Sequence, residues 1–579
     1  MSVQRFLPDV ERTRRAAGWV FLATFVFASG TASAGAPARA RFEVSFPAAV
    51  RASAVDGRVY VLLSRDATKE PRFQIHEGID SQQIFGVDVL RLAPGQAAVI
   101  DAGTLGYPAK SLAEIPPGEY QVQALLNVYE TFRRSDGHTV LLPPDRGEGQ
   151  HWESKPGNLM SRPQRLRIDA GTVHLALTEV IPAVAPPRET KYLRHVTIKS
   201  RLLSKFWGRD MELGAWVLLP PGFDEHPAAR YPLAIYHGHF SFDWRAGSSF
   251  REEAPGPELQ GSERTDADLA HKLYQDWTAG RLPKMLIMTV QHANPYYDDS
   301  YAVNSANLGP YGDAIVRELI PEVERRFRGL GAPWSRVMYG GSTGGWEVLG
   351  AQVFYPDDFA GVWCFCPDPV DFRAYELVNI YEDENAYGKP GPFGVVPRPA
   401  KRDPDGHVTA TVEQSVRFEA VLGSRGRSTD QWDIWQAVFG PVGKDGYPQP
   451  IWDKATGAID KEVAAYWRDH YDLRHILERD WKTLGPKLAG KIRIKVGTLD
   501  TYYLEKAVRH LEAFLERTTE PYWRGSIEYG HDLPHCYTGD PSVPVEVSSR
   551  TVNQRLLPEM AEHMLRLAPP GADVSSWRY

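Results

Sequence analysis

Two patterns of apolar positions divide the chain. From about Ala40 to Ile168 apolar and polar residues alternate in short runs. Arg41-Phe42-Glu43-Val44-Ser45-Phe46 has period two, Arg58-Val59-Tyr60-Val61-Leu62-Leu63 reads as a second strand, and Gly118–Val128 as a third after the turn at Pro116-Pro117. Short strands separated by turn residues predict a β-sandwich-like domain over residues 40–180. Pro182, Pro186 and Pro187 then mark a linker over 181–189.

From about Thr190 strand and helix patterns alternate. His195–Ile198 and Glu212–Leu219 predict a hairpin, while Tyr231–Tyr236 and Met285–Val290 are continuous apolar runs suited to buried parallel strands. Ile315, Leu319, Ile320 and Val323 recur at helical spacing within Asp313–Arg326. Further strands are expected at Arg336–Tyr339, Phe359–Phe365, Lys491–Val496 and Trp523–Tyr529, with a helix over Tyr503–Arg517. The alternation predicts an α/β fold with a mostly parallel sheet over 190–570. Residues 367–490 interrupt it with an insertion containing Trp432, Trp435, Trp452, Trp467 and Trp481. It is a candidate lid or substrate wall, or a helical subdomain whose tryptophans are its own core.

Composition adds limits. At 579 residues the chain exceeds one ordinary domain. A net charge of −7 gives no sign of a nucleic-acid or anionic-membrane partner. Arg12, Arg14 and Arg15 precede the apolar run Ala16–Ala28 and then Ala32-Ser33-Ala34, which predicts a signal peptide over 1–34 and a periplasmic or secreted protein, an uncleaved anchor being the alternative. No later segment is apolar enough to cross a bilayer. Three cysteines do not make a disulfide-stapled scaffold.

The strongest chemical signal is Gly340-Gly341-Ser342-Thr343-Gly344 between an apolar strand and a helical pattern. This G-x-S-x-G context predicts a nucleophile elbow, in which glycines let the backbone turn sharply and lift the serine hydroxyl above the sheet edge. A serine needs a base and an acid, which follow it in that fold in the order acid, then histidine. Asp500, after the strand ending at Val496, is the expected acid, with Asp368 and Asp371 as alternatives. His531 after Gly530 is the expected base, with His535 as the alternative. The backbone N–H of Thr343 and that of Gly238 or His239 are the expected oxyanion donors. Trp346, Trp432 and Trp435 are candidate substrate contacts. A zinc site from His237, His239, His531 and His535 is a minor alternative; no nucleotide-loop or redox-cofactor motif is present, so no cofactor is expected.

These residues resemble the putative-esterase branch of the α/β-hydrolases, which includes feruloyl and acetyl-xylan esterases, S-formylglutathione hydrolases, enterochelin esterases and mycolyltransferases. The resemblance is carried by Leu218–Phe223, Tyr231–Gly238, Glu318–Glu324, Gly340–Gly345 with Tyr355–Phe359, Gly497–Asp500 and Gly530–Asp532, and spans Thr190 to Leu567. It implies an α/β-hydrolase with Ser342, Asp500 and His531 as triad; the long insertion departs from the pattern. Cys366 ends the strand after the elbow and Cys536 lies five residues past His531, so a Cys366–Cys536 bridge pinning the base loop is one hypothesis, with Cys364 as the alternative partner, and whether Cys536 is bridged stays open.

The function expected is an exported serine esterase acting on a small-molecule or carbohydrate-linked ester. An acyltransferase or serine peptidase with the same site, or a carbohydrate-binding protein on a hydrolase scaffold, are the alternatives.

Overall fold

The computed structural model describes residues 40–185, 188–239 and 250–579. The expected signal segment, and Pro186-Pro187 of the expected linker, lie outside the described residues. The described residues fall in one compact unit.

The N-terminal part holds two sheets. Ala40–Ser45 pairs in parallel with Gly171–Ala176 and antiparallel with Ala98–Ile100. Gly118–Arg133 pairs antiparallel with Val55–Ser64 and with Gln164–Ile168, and Val55–Ser64 pairs with Gln83–Leu92. Period two explains the packing. Val59, Val61 and Leu63 face a core shared with Phe42, Val44 and Ile100 of the small sheet. Tyr60 and Leu62, on the opposite face, pack against Phe418, Val421 and Leu422 of the insertion. The run 58–63 is apolar at nearly every position because both faces are covered.

The same strand holds the end of an insertion helix, Val412–Leu422. Its last carbonyls have no partner within the helix. Arg58 donates to Ala420 O at 3.1 Å and Val421 O at 2.7 Å, and Tyr60 Oη donates to Leu422 O at 2.5 Å. A guanidinium at a helix C-terminus also meets the negative end of its dipole.

The C-terminal part is built on one sheet in the order Leu193–Lys199, Glu212–Leu218, Leu286–Gln291, Leu233–His237, Arg336–Gly341, Gly361–Phe365, Ile492–Gly497, Ser526–Gly530. The second strand runs antiparallel to the first and to the third, and the remaining neighbours pair in parallel. The expected hairpin strands do pair, joined through the helix Arg201–Trp207. The helix expected over 313–326 starts at Tyr311 and widens into a π turn at Ile315–Leu319. Pro321 follows in the first turn of Ile320–Arg326 and has no N–H to continue the regular ladder.

The insertion adds the helices Val412–Leu422, Gln431–Phe439, Lys461–Tyr471 and Leu473–Leu488. Its tryptophans turn inward. Tyr375 lies 5.0–5.6 Å, ring to ring, from Trp432, Trp435, Trp452 and Trp467. Phe439 extends the cluster to Trp346 at 4.9 Å. No helix of the described residues is long and apolar enough to cross a membrane.

Candidate active site

Ser342 sits between the strand Arg336–Gly341 and the helix Thr343–Phe354, with φ 58° and ψ −125°. A side-chain-bearing residue with positive φ is strained, and the surroundings hold it there: Ser342 N donates to Phe365 O at 3.0 Å and Trp346 N to Ser342 O at 3.1 Å. Gly344 is required by close approach, since a Cβ there would lie 2.1 Å from His237 O. The strand end expected to supply the oxyanion loop therefore runs directly against the elbow.

Asp500 follows Gly497 at the end of the strand Ile492–Gly497 and is fully buried. Its Oδ1 accepts from the backbone N–H of Tyr502 at 2.9 Å and of Leu504 at 3.4 Å, which leaves Oδ2 for one further partner. That partner is His535, whose Nδ1 lies 2.8 Å away. His535 Nε2 lies 2.9 Å from Ser342 Oγ. With the carboxylate fixing the proton on Nδ1, a neutral ring presents a lone pair at Nε2 to the serine hydroxyl. Arg402 of the insertion donates to Asp500 O at 2.9 Å and pairs with Glu505 at 2.9 Å, bracing the acid loop from outside. Burial pushes the His535 imidazole down, but Asp500, Cys536 and the hydrogen bonds they make outweigh it and raise it well above the ordinary range.

His531 is not brought to the site. Its side chain is 88% exposed and, among the described residues, pairs only with its neighbour Asp532, at 3.0 Å. The chain turns out after Gly530, with Asp532 at φ 54° and Leu533 N bonded to Gly530 O at 3.3 Å. It then folds back over Gly497, where a Cβ would lie 2.0 Å from Leu533 O. Leu499 N donates to Leu533 O at 3.1 Å, and the return delivers His535 to the sheet edge. The histidine directly after the strand is spent on the outward half of the turn.

The other expected residues are placed as follows. Asp371 pairs with Arg373, and lies 3.7 Å from Arg474 and 3.6 Å from His510, away from the serine. Asp368 lies behind the elbow: its Oδ2 accepts from Tyr301 Oη at 2.5 Å, Thr343 Oγ1 at 3.0 Å and Trp435 Nε1 at 3.3 Å. Thr343 opens the helix, so its N–H belongs to the turn whose donors have no partner inside the helix. His239 Nδ1 faces Asp298 at 3.3 Å and Asp299 at 2.9 Å, and its Nε2 lies 3.4 Å from Thr343 Oγ1. Phe240, the next residue, lies outside the described residues.

Trp346, Trp432 and Trp435 are corrected from substrate contacts to packing, being 0%, 4% and 2% exposed. Their rings fill the centre of the insertion and its seam with the elbow helix. The zinc set is not assembled either. His237 is buried against Glu347 at 3.4 Å, and among the described residues none of the groups close enough to share an ion joins His237 or His239 to His531 or His535.

Tyr301, Gln431 and Tyr502 were not singled out from sequence. Gln431 donates to Tyr301 Oη, and the Tyr502 ring stands edge-on to His535 at 4.8 Å. Only the position of Tyr502, two residues past Asp500, could have flagged any of them. A cavity of about 400 Å³ adjoins this region, lined by Arg72 and Trp152 of the N-terminal sheets, Phe418 and Asp430 of the insertion, and Tyr297-Asp298 beside His239.

No protein-family model and no curated protein matches the chain. Among solved structures the chain is similar to a ferulic acid esterase at 13% identity, covering 64% of this chain and 99% of that one, TM-score 0.34. It is similar to an S-formylglutathione hydrolase from Agrobacterium tumefaciens at 14% identity, covering 66% and 98%, TM-score 0.33. A fluorophosphonate-binding serine hydrolase from Staphylococcus aureus matches at 13% identity over 64% and 97%, TM-score 0.33.

Proposed function

We propose that the chain is a serine hydrolase that cleaves carboxylic esters on Ser342, with His535 as base and Asp500 as its orienting acid, on an α/β-hydrolase domain preceded by a β-sandwich. One observation carries the reading: a strained, partly accessible serine hydroxyl 2.9 Å from an imidazole whose other nitrogen is 2.8 Å from a buried carboxylate. Ser342 Oγ attacks the acyl carbon as His535 Nε2 takes its proton. The oxyanion that forms meets the N–H of Thr343 and that of Gly238 or His239. His535 then protonates the departing alcohol, and a water deprotonated by the same ring releases the acid. Asp500 keeps Nδ1 protonated and stabilises the imidazolium without itself taking the proton. The basic, apolar and A-x-A pattern over 1–34 supports an exported enzyme.

The test is covalent. A fluorophosphonate should label the wild type at Ser342, found by peptide mapping, and a panel of aryl esters should be turned over. Label on another residue, or turnover that survives Ser342→Ala, refutes the proposal.

A further inference from the structure

We propose that Cys366 and Cys536 form a disulfide that ties the loop carrying His535 to the strand end beside the elbow, and that closing the crosslink changes the charge facing His535. The second half rests on the esterase reading; the first rests on sulfur geometry alone.

The two sulfurs lie 3.1 Å apart, so closing to a bond of about 2.0 Å takes roughly 1 Å of side-chain movement. Both residues are held in positive-φ backbone, Cys366 at 34° and Cys536 at 64°. Cys366 is fixed by its N–H to Lys495 O at 2.7 Å. Both sulfurs lie 3.8 Å from where a side chain would stand on Gly341, the residue before Ser342. Cys364 is not a partner. Two residues earlier on a strand that ends at Phe365, its thiol donates to Gly345 O at 3.2 Å, on the elbow-helix side.

Cys536 is partly exposed and is the reactive member of the pair. The hydrogen bond from Cys366 and the adjacent His535 outweigh burial and lower its thiol to about 5. As thiolate it attacks a disulfide of the surroundings, either a small disulfide such as oxidised glutathione or that of an exchange protein, expelling one thiolate and forming a mixed disulfide. Cys366, losing its proton to solvent, then attacks the Cys536 sulfur and expels the second thiolate. Two thiols and one external disulfide become the Cys366–Cys536 bond and two external thiols.

The consequence falls on His535. The groups facing it are Asp500 and Tyr502 from the acid loop, Cys366 from the neighbouring strand end, Ser342, and Cys536 from its own loop, with Asp368 farther back. Of the anions among these, only Cys536 disappears on oxidation. In the reduced protein its thiolate helps keep His535 protonated, so the base becomes free only at higher pH. The same three groups, Cys366, His535 and Cys536, also stand close enough to hold a soft metal ion. Both ring nitrogens of His535 are already engaged, which favours the disulfide.

The test uses the full chain. After exposure to oxidised glutathione, alkylation under denaturing conditions should find one thiol, Cys364, before reduction and three after, with a linked Cys366–Cys536 peptide. Reduction should lower kcat/KM at pH 7 and move its pH profile to higher pH than that of the oxidised enzyme. Cys536→Ser should abolish the dependence on reductant and keep the oxidised profile. Three reactive thiols after oxidation overturn the crosslink; one retained zinc with protected thiols replaces it with a metal site; a linked peptide with identical pH profiles overturns the proton effect. Failure of Ser342 to take a fluorophosphonate would overturn the esterase reading while leaving the thiol count standing.

Discussion

Two buried regions meet where Trp346 touches Phe439, and they are built on opposite terms. The sheet edge holds Ser342, Cys366, Tyr503, Asp532 and Cys536 in positive-φ backbone and buries the carboxylate of Asp500 against an imidazole. The insertion centre holds Phe372, Tyr375, Trp432, Trp435, Phe439, Trp452 and Trp467, none with positive φ and none more than 4% exposed. The insertion also buries Glu376, Glu419 and Asp433 beside these rings, so the difference lies in the catalytic strain at the edge against the dense aromatic filling of the centre. A site that keeps unfavourable geometry needs surroundings that do not yield, and the aromatic centre supplies them through the elbow helix. The difference predicts that substitutions at the edge change rate with little change in stability, and substitutions in the centre do the reverse.

The largest effect is expected at the edge. Ser342→Ala, His535→Ala and Asp500→Asn should each lower kcat by about 10⁴-fold, and the double and triple replacements should lower it little further, because the three act as one unit. Steady-state kinetics with an aryl ester, alongside thermal melts that move by no more than a few degrees, checks both halves. Additive losses would mean that the three side chains do not cooperate.

At the centre, Trp467→Ala should cost about 3–5 kcal/mol in urea unfolding, with kcat per folded molecule within about threefold of wild type. Trp467 is fully buried and touches Phe372, Tyr375 and Phe439, yet its indole N–H has no partner among the described residues. Trp467→Phe keeps a ring and removes the unpaired donor, so it should cost less than half as much. Equal costs for the two would mean that the indole is bonded after all.

The elbow was legible because its glycines have a local cause: the backbone at Gly344 touches His237 O, and no other residue fits. Asp500 was legible because an acid ending a parallel strand can only stand at one sheet edge. The base was not, since whether the loop after Gly530 turns out or in is decided by Leu533 against Leu499 and Gly497, some 35 residues earlier. One clue was present: a bridge from Cys366 to Cys536 would bring His535, not His531, to the edge. The tryptophans read equally as core or binding surface, because apolar area alone does not say what covers it. Docking of the N-terminal sheets on the insertion joins Arg58 to Val421, 363 positions apart, and no local pattern encodes that.

Asp371 tests the comparison with a group that is buried and charged but not catalytic. Burial raises its carboxyl, yet His510 and Arg373 outweigh it and hold it down at about 2. A depressed carboxyl stabilises the fold above its unfolded value of about 3.9, and that stabilisation is lost as pH falls through about 2. Asp371→Asn should therefore lower stability by about 2 kcal/mol at pH 7, and the gap from wild type should narrow steadily between pH 5 and pH 2.5 in urea midpoints. The rate should stay within about threefold. A thousandfold loss of rate would make Asp371, not Asp500, the acid.

The smallest effect is expected at His531. It carries the position that the resemblance assigns to the base, but its ring is 88% exposed and its one partner among the described residues is an exposed neighbour. An exposed pair is screened by water and salt and contributes little. His531→Ala should leave kcat/KM within twofold and the melting temperature within about 1 °C, in contrast to His535→Ala. Both histidines lie in the one loop held by the bonds of Leu533 to Gly530 and Leu499, so the pair of variants reads the direction of the turn. A large loss at His531 with a small one at His535 would mean that the chain folds back one turn earlier in solution, with Leu533 no longer seated over Gly497.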